Sequence, residues 1–217
     1  MARPAALLDL DGTLVDTNYQ HALCWYRAFR RHGITIPVWR LHRHVGMGGD
    51  TLVAAVAGDE VEERAGDAVR DAWEEEFDRL IDEIAPREGA HELIVALKER
   101  GHEVVLASSS IEKHFDHFAE LVGAKELADG WTTKDDVERS KPEPDLVRAA
   151  LEKTEAERAV MIGDTPWDVE AARRAGIPTV CIVTGGFSEQ ELRDAGAAAV
   201  HESLPELTSQ LDSLATL

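Results

Sequence analysis

Four short polar stretches hold the residues of this sequence that could do chemistry. Carboxylates can act as nucleophiles, exchange protons or bind a metal ion, and a lysine ammonium supplies a positive charge. Together these residue types suit a site that binds an anionic group. The stretches are Asp9-Leu-Asp11-Gly-Thr13, Ser108-Ser-Ser110, Lys141-Pro142 and Gly163-Asp-Thr-Pro-Trp-Asp168.

Predicted strands and helices position these stretches. An apolar run at residues 5–10 ends at a tight turn and predicts a buried strand. Helices alternate with the later strands, which favours right-handed crossovers and a parallel, doubly wound sheet. Such sheets bind ligands at the carboxyl ends of their strands, so the four stretches are expected to meet at one edge. The further predicted elements are strands at 103–107, near 131, at 159–162, 179–183 and 197–200, and helices at 90–100, 111–122, 144–153 and 167–175.

A mostly helical stretch separates the first strand from the others. Residues 18–32 predict one helix and residues 60–84 predict another, with a glycine-rich loop at 46–49 between them. We therefore predict an α/β fold in which a doubly wound, Rossmann-like core carries an inserted α-helical cap domain. The predicted core comprises residues 1–15 and 87–217, and the predicted cap comprises residues 16–86.

The composition is that of an acidic globular protein. The 217 residues carry a formal charge of −19, which disfavours nucleic acid and anionic membranes as partners. No apolar run approaches the roughly 20 residues that a membrane-spanning helix needs, and the N-terminus shows no secretory signal. The two cysteines lack the spacing of a zinc site. We expect a cytoplasmic protein, monomeric or homodimeric.

The four stretches, in this order and context, resemble the motifs of the haloacid dehalogenase-like superfamily, most of whose members are phosphatases. The resemblance covers essentially the whole chain and is closest to the phosphoglycolate-phosphatase and β-phosphoglucomutase-like branch. It implies that Asp9 attacks phosphorus and forms an aspartyl-phosphate that water later hydrolyses. It also implies that Asp11 acts as general acid and base.

The resemblance further implies a Mg²⁺ cofactor and a phosphate site. Asp9, Asp164 and the backbone carbonyl of Asp11 would bind the metal, which prefers oxygen ligands, and Asp168 would support its waters or Lys141. The remaining residues that match the family's motifs would bind the phosphoryl group. These predicted phosphate-binding residues are Gly12, Ser108, Ser109 and Lys141.

The substrate is expected to be a small phosphorylated metabolite. An aspartate at position 11 argues against dehalogenases proper and phosphonate hydrolases, which lack it. Gly163 before Asp164 is typical of the phosphatase type, whereas His21 has the spacing of a histidine in β-phosphoglucomutase-like proteins. A phosphosugar mutase is therefore the alternative within the enzyme class.

Cap residues would determine which metabolite is accepted. The loop that contains Arg43, His44 and Gly46 resembles the substrate-specificity loop of the family, and Arg43 or His44 could meet a second anionic group. Trp25, Trp73 and Phe77 are expected in the core of the cap. A non-catalytic phosphate-binding module would be expected to have lost a motif acid, and none is missing here.

Overall fold

The computed structural model of the protein describes residues 3–212, and its centre is a parallel sheet. Six strands in this part of the chain have the order β3-β2-β1-β4-β5-β6, with all neighbours parallel. From β1 the chain adds strands first on one side, at β2 and β3, and then on the other side, from β4 to β6. In a doubly wound fold, ligands bind at this reversal point, in the crevice at the carboxyl ends of the strands. The strands are β1 Ala5–Leu8, β2 Glu103–Ala107, β3 Gly130–Thr132, β4 Ala159–Gly163, β5 Thr179–Ile182 and β6 Ala199–His201.

Four helices follow β1 and form a cluster of their own, which we call the cap. Their shared core contains Trp25, Phe29, Leu41 and Leu52, and α1 packs along α4. The predicted partition into a cap of residues 16–86 and a core stays a prediction, although all four helices fall within that range. The cap helices are α1 Asn18–Arg31, α2 Val38–His42, α3 Gly49–Ala57 and α4 Asp59–Asp78.

Six further helices cover the two faces of the sheet. On one face Leu8 and Ile162 pack with Phe118, and on the other Leu7 packs with Leu146. Both faces are therefore apolar, as a parallel sheet requires. These helices are α5 Ala90–Glu99, α6 Glu112–Leu121, α7 Asp145–Leu151, α8 Pro166–Ala175, α9 Glu189–Ala195 and α10 Leu204–Ser209.

The α/β class and the doubly wound parallel sheet are as predicted, but several elements differ. The helix predicted at 60–84 ends at Asp78, and a short 3-10 turn at Ile81–Glu83 follows. The chain must turn there, because Pro86 returns to pair with Val15 beside the sheet. Four short helices were not predicted, namely α2, α3, α9 and α10. Among residues 3–212, none of the helices combines the length and the hydrophobicity needed to cross a bilayer.

Candidate active site

The ends of three neighbouring strands bring the polar stretches together. Leu8 of β1 pairs with Leu106 of β2 and with Ile162 of β4, so the residues that follow these strands share one edge. Asp9 extends the ladder by donating its backbone N–H to the carbonyl of Ile162 over 2.9 Å. Side chains on these loops are consequently held by the sheet itself.

Lys141 lies at the centre of the site. Its Nζ is 2.7 Å from Oδ1 of Asp9 and 2.6 Å from Oδ1 of Asp168, and all three side chains are buried. Burial alone would lower the pKa of Lys141, but the carboxylates of Asp168 and Asp9 outweigh it and the pKa lies above its usual value. The lysine is therefore a fixed positive charge beside the predicted nucleophile.

Three buried carboxylates surround this single ammonium group. Oxygens of Asp9, Asp164 and Asp168 all lie within 4.8 Å of one another. Burial, and then the charge of Asp168, raises the pKa of Asp164 to about 7; burial likewise raises the pKa of Asp9, although Lys141 opposes it. This excess of buried negative charge and oxygen donors fits a hard divalent cation.

Asp164 and Asp168 are each held by fixed donors. Thr13 Oγ1 donates to Asp164 Oδ1 over 2.8 Å, and Asn18 Nδ2 donates to Oδ2 over 2.9 Å. Asp168 Oδ2 accepts from the backbone N–H and the hydroxyl of Thr165, in a capping box that starts α8. The remaining oxygen of Asp168 contacts Lys141, so this acid lies against the lysine.

Asp11 is held apart from that cluster by different partners. Its Oδ1 lies 2.9 Å from Nε2 of His21, and its Oδ2 accepts a hydrogen bond from Ser110 Oγ over 2.6 Å. Burial raises the pKa of Asp11, but the hydrogen bond and charge of His21 and the Ser110 hydroxyl outweigh it, and the pKa falls to about 2. Asp11 is thus a carboxylate in direct contact with an imidazole, a group that can carry a proton.

His21 is fixed by aromatic rings of the cap. Its imidazole stacks on Phe77 with ring centroids 4.3 Å apart and on Trp73 at 5.5 Å. Trp25 stacks on Trp73 in turn, at 5.1 Å. Trp25 lies in the core of the cap, as expected, and Trp73 packs against it, but both also line the active-site cavity. Phe77 was expected there too and belongs instead to the core on one face of the sheet, where its ring contacts Phe118 at 6.1 Å.

The predicted phosphate-binding residues lie around the same edge. A side chain on Gly12 would overlap Asn18 and Asp164, and its φ of 79° is one that glycine adopts freely. Ser108 Oγ accepts from the backbone N–H of Ser110 over 3.1 Å. Ser109 lines the cavity, and its buried hydroxyl has no hydrogen-bond partner among the described residues. That hydroxyl is free for a ligand oxygen.

The structure does not bring Arg43 and His44 to the cavity. The Arg43 guanidinium lies 4.0 Å from the ring centroid of Phe187 and pairs with Glu191, while His44 stacks on Trp167 at 6.0 Å. These partners belong to the core beside the cavity, so the two side chains join cap to core. These contacts do not support the expectation that either one meets a second anionic group, which stays a prediction.

Gly46 does line the cavity, because it lets the cap loop approach the core closely. A Cβ atom at this position would lie 2.7 Å from Thr165 Oγ1, and the φ of Gly46 is 98°. The start of α3 makes a second contact with the core: Thr51 Oγ1 donates to the carbonyl of Lys141 over 3.1 Å, and Asp50 Oδ2 accepts from the backbone N–H of Ser140 over 3.0 Å.

Sequence reasoning missed several polar residues that orient the site. In the sequence, Asn18 stands at the start of a predicted helix and Ser110 in a run of serines, and neither pattern indicates a contact with a catalytic acid. Arg87 was not considered, although its Nε donates to the carbonyl of Gly12 over 2.8 Å and its Nη2 to the carbonyl of Thr184 over 3.1 Å. The signal for Arg87 was its position as the first residue of the predicted return to the core.

The core and the cap together enclose a cavity of about 320 Å³. Asp9, Asp11 and Lys141 line it from the core, and residues of α1, α3 and α4 line it from the cap. Its floor therefore combines a buried carboxylate beside a lysine, a second carboxylate beside a histidine, and a free hydroxyl. This arrangement can bind a phosphoryl group and supply both a nucleophile and a proton carrier.

Comparison with known proteins agrees with this geometry. Among curated relatives, a validoxylamine A 7'-phosphate phosphatase from Streptomyces hygroscopicus subsp. limoneus is 28% identical over 82% of this chain and 85% of its own. A phosphoglycolate phosphatase from Rhodospirillum rubrum is 28% identical over 94% of this chain and 88% of its own. The crystal structure of a hydrolase from Pseudomonas syringae superposes with a TM-score of 0.91 at 30% identity, covering 98% of this chain and 99% of that one.

The sequence model of the haloacid dehalogenase-like hydrolase family matches residues 4–176, which include all four motifs. The chain therefore belongs to the haloacid dehalogenase-like hydrolase family, as its motifs predict.

Proposed function

We propose that the protein is a magnesium-dependent phosphatase that hydrolyses the phosphate monoester of a small metabolite through an aspartyl-phosphate on Asp9. One observation carries the proposal. Asp9 and Asp11 face the same cavity, but Asp9 is held by Lys141 at 2.7 Å and Asp11 by His21 at 2.9 Å. Two carboxylates in different surroundings suit two different roles.

In the first step, an oxygen of Asp9 attacks phosphorus and the bond from phosphorus to the ester oxygen breaks. The Lys141 ammonium reduces the repulsion between the carboxylate and the phosphoryl oxygens as they approach. The alcohol oxygen leaves with a proton from the Asp11–His21 pair. The Ser109 hydroxyl is free to donate to a phosphoryl oxygen.

In the second step, water attacks phosphorus and releases Asp9. Asp11, held in place by His21 and Ser110, now accepts the proton of that water, which restores the proton that the pair gave to the alcohol. The products are inorganic phosphate and the regenerated Asp9 carboxylate.

We propose that Asp9, Asp164 and the Asp11 backbone carbonyl hold the Mg²⁺ ion, with Asp168 orienting Lys141. The three buried carboxylates, the raised pKa values of Asp9 and Asp164, and the all-oxygen donor set support this. When bound, the ion supplies positive charge that offsets the anionic phosphoryl group. Thr13 and Asn18 would keep Asp164 oriented toward it.

The relatives support a phosphatase over the mutase alternative. Both curated relatives described above are phosphatases by name. The contact between His21 and Asp11 was the argument for a mutase, but a histidine beside the proton-carrying acid serves hydrolysis equally well. We also propose that the cap of residues 16–86 covers the site during turnover, and that the enzyme acts in the cytoplasm.

The test is phosphate release from a panel of phosphate esters, with and without Mg²⁺. We expect metal-dependent turnover by the wild type and none by Asp9→Asn. Asp116→Asn is the matched control, because Asp116 lies on the surface and pairs with Lys125 at 2.7 Å. If Asp9→Asn retained substantial turnover while folded, Asp9 would not be the nucleophile.

A trapping experiment tests the two-step scheme. Asp11→Asn should accumulate phosphorylated enzyme from acetyl phosphate, because acetate leaves without needing a proton whereas the later attack by water needs the base. Intact-mass measurement would detect one added phosphoryl group. Its absence in Asp11→Asn that still consumes acetyl phosphate would contradict the covalent route.

A further inference from the structure

The cap side of the cavity presents an aromatic wall next to the proton-carrying acid. Trp73 stacks on His21, which contacts Asp11, and Trp25 continues the stack at 5.1 Å from Trp73. Under the proposed function, the alcohol oxygen lies beside Asp11, so the rest of the alcohol extends along Trp73 and Trp25. Aromatic faces pack well against the C–H face of a ring and against cations.

The cavity has room for an alcohol larger than a two-carbon acid. Its volume of about 320 Å³ falls at the lower end of small-molecule sites, which span roughly 300–1,000 Å³. A two-carbon ester or pyrophosphate would leave the aromatic wall in contact with water. A six-membered ring would bury it.

The charges around the cap side are mainly negative. Four carboxylates line the cavity besides the catalytic ones: Asp50, Asp71 and Glu74 on the cap, and Asp135 on the core.

Besides Lys141, two cations line the cavity, and Arg70, on the cap, is already neutralised. Its guanidinium bonds Glu62 at 2.7 Å and Asp67 at 2.8 Å, and neither of these acids lines the cavity. The other cation, Lys134, precedes Asp135 directly in the chain. Even after the ion pair of Glu74 with Lys113, at 3.7 Å, the lining keeps more negative than positive charge.

We infer that the alcohol released by this enzyme is a hydroxylated ring without a second anionic group, and that an amine on this ring improves it as a substrate. The inference rests on the proposed function and names its substrate class. Trp73 and Trp25 bind the ring, and the surplus carboxylates, Asp71 in particular, attract the amine and repel a second phosphate or carboxylate.

Three esters of one ring test the charge preference. We expect kcat/KM with Mg²⁺ to fall from glucosamine 6-phosphate to glucose 6-phosphate and again to glucose 1,6-bisphosphate. Phosphoglycolate and pyrophosphate should rank below the first two. Higher activity with the bisphosphate, or with either small substrate, would overturn the inference.

Two variants of α4 test the residues. Asp71→Asn should reduce the preference for glucosamine 6-phosphate over glucose 6-phosphate by about fivefold, the factor for one ion pair in water. Glu60→Gln is the matched control, since Glu60 is an exposed acid of the same helix that does not line the cavity. Equal effects of the two changes would contradict a role for Asp71.

The aromatic wall is tested by a ratio of substrates. Trp73→Leu should lower kcat/KM for the two ring monophosphates more than for phosphoglycolate, an alkyl ester that needs the same proton from the Asp11–His21 pair but is too small to use the wall. Equal losses for all three would overturn the assignment of Trp73 to the ring.

Acetyl phosphate also separates the inference from the proposed function. If the wild type hydrolyses acetyl phosphate with Mg²⁺ but no ring monophosphate, the phosphatase stands and the inference falls. If acetyl phosphate and every ester resist hydrolysis, both fall.

Discussion

The core side and the cap side of the cavity differ in how their polar groups are held. On the core side, Asp9, Asp11, Asp164 and Lys141 each have partners fixed by the sheet or by buried side chains. On the cap side, Asp71 is exposed and Asp50 leaves one buried carboxylate oxygen without a partner among the described residues. We therefore assign the chemistry to groups that are already held in place. Substrate recognition is assigned to groups whose charged or hydrogen-bonding atoms are still available to a ligand.

Removing the lysine should have the largest effect on the core side. Lys141→Met leaves Asp9 and Asp168 buried without their cation, so we expect turnover to vanish and the metal-free protein to lose about 3–5 kcal/mol of unfolding free energy. Urea denaturation in EDTA measures this. Adding Asp168→Asn should recover part of the stability but no activity; a double variant as unstable as Lys141→Met would contradict the charge argument.

The second-largest effect is expected when a carboxylate of the proposed metal site loses a hydrogen-bond donor. Asn18→Ala removes the donor to Asp164 Oδ2, and such outer-shell changes typically cost about 10–100-fold in metal affinity. Titration of phosphate release with Mg²⁺ reports this as a higher half-saturating concentration. Gln190→Ala on α9 is the control, and an unchanged Mg²⁺ dependence in Asn18→Ala would separate Asn18 from the metal.

Changing His21 should mainly affect substrates with a poor leaving group. His21→Gln keeps a side chain near Asp11 but cannot exchange a proton, so we expect roughly tenfold or greater loss of kcat on alkyl phosphates. Acetyl phosphate should be affected less, because acetate needs no proton to leave. A uniform loss on both substrate types would indicate that His21 acts through packing on Phe77.

The smallest effect is expected for Arg43. Its partners, Phe187 and Glu191, are on the core beside the cavity, so Arg43→Ala should cost about 1 kcal/mol of stability and leave KM within about twofold. Thermal unfolding and steady-state kinetics would check both values. A tenfold rise in KM would instead indicate that Arg43 contacts the substrate.

The sequence allowed the core side to be predicted better than the cap side, for a physical reason. A strand end fixes where a side chain goes, so the meeting of Asp9, Ser108 and Asp164 followed from the order of strands. The position of Arg43 depends on Glu191, which is 148 residues away, and no local pattern indicates that contact. The side chain of Asn18 turns back from the start of α1 in a way that spacing alone does not reveal.

The prediction of helices shows the same limit, except at α9 and α10. The helix predicted at 60–84 was too long, because no glycine or proline marks its end at Asp78. Helices α9 and α10 could have been found, since Ser188 and Ser203 each precede a glutamate by three residues, the pattern of a capping box.

The hydrogen bonds from α3 to the loop of Lys141 have a consequence for how the enzyme opens. Thr51 and Asp50 hold that loop from the cap, so a swing of the cap away from the core breaks both contacts and loosens the lysine beside the nucleophile. Access for a substrate and readiness of Asp9 are therefore coupled in opposite senses. By thermodynamic reciprocity, a ligand that tightens Lys141 would also favour the closed position of the proposed cap, and the enzyme would be least reactive while its site is open to bulk water.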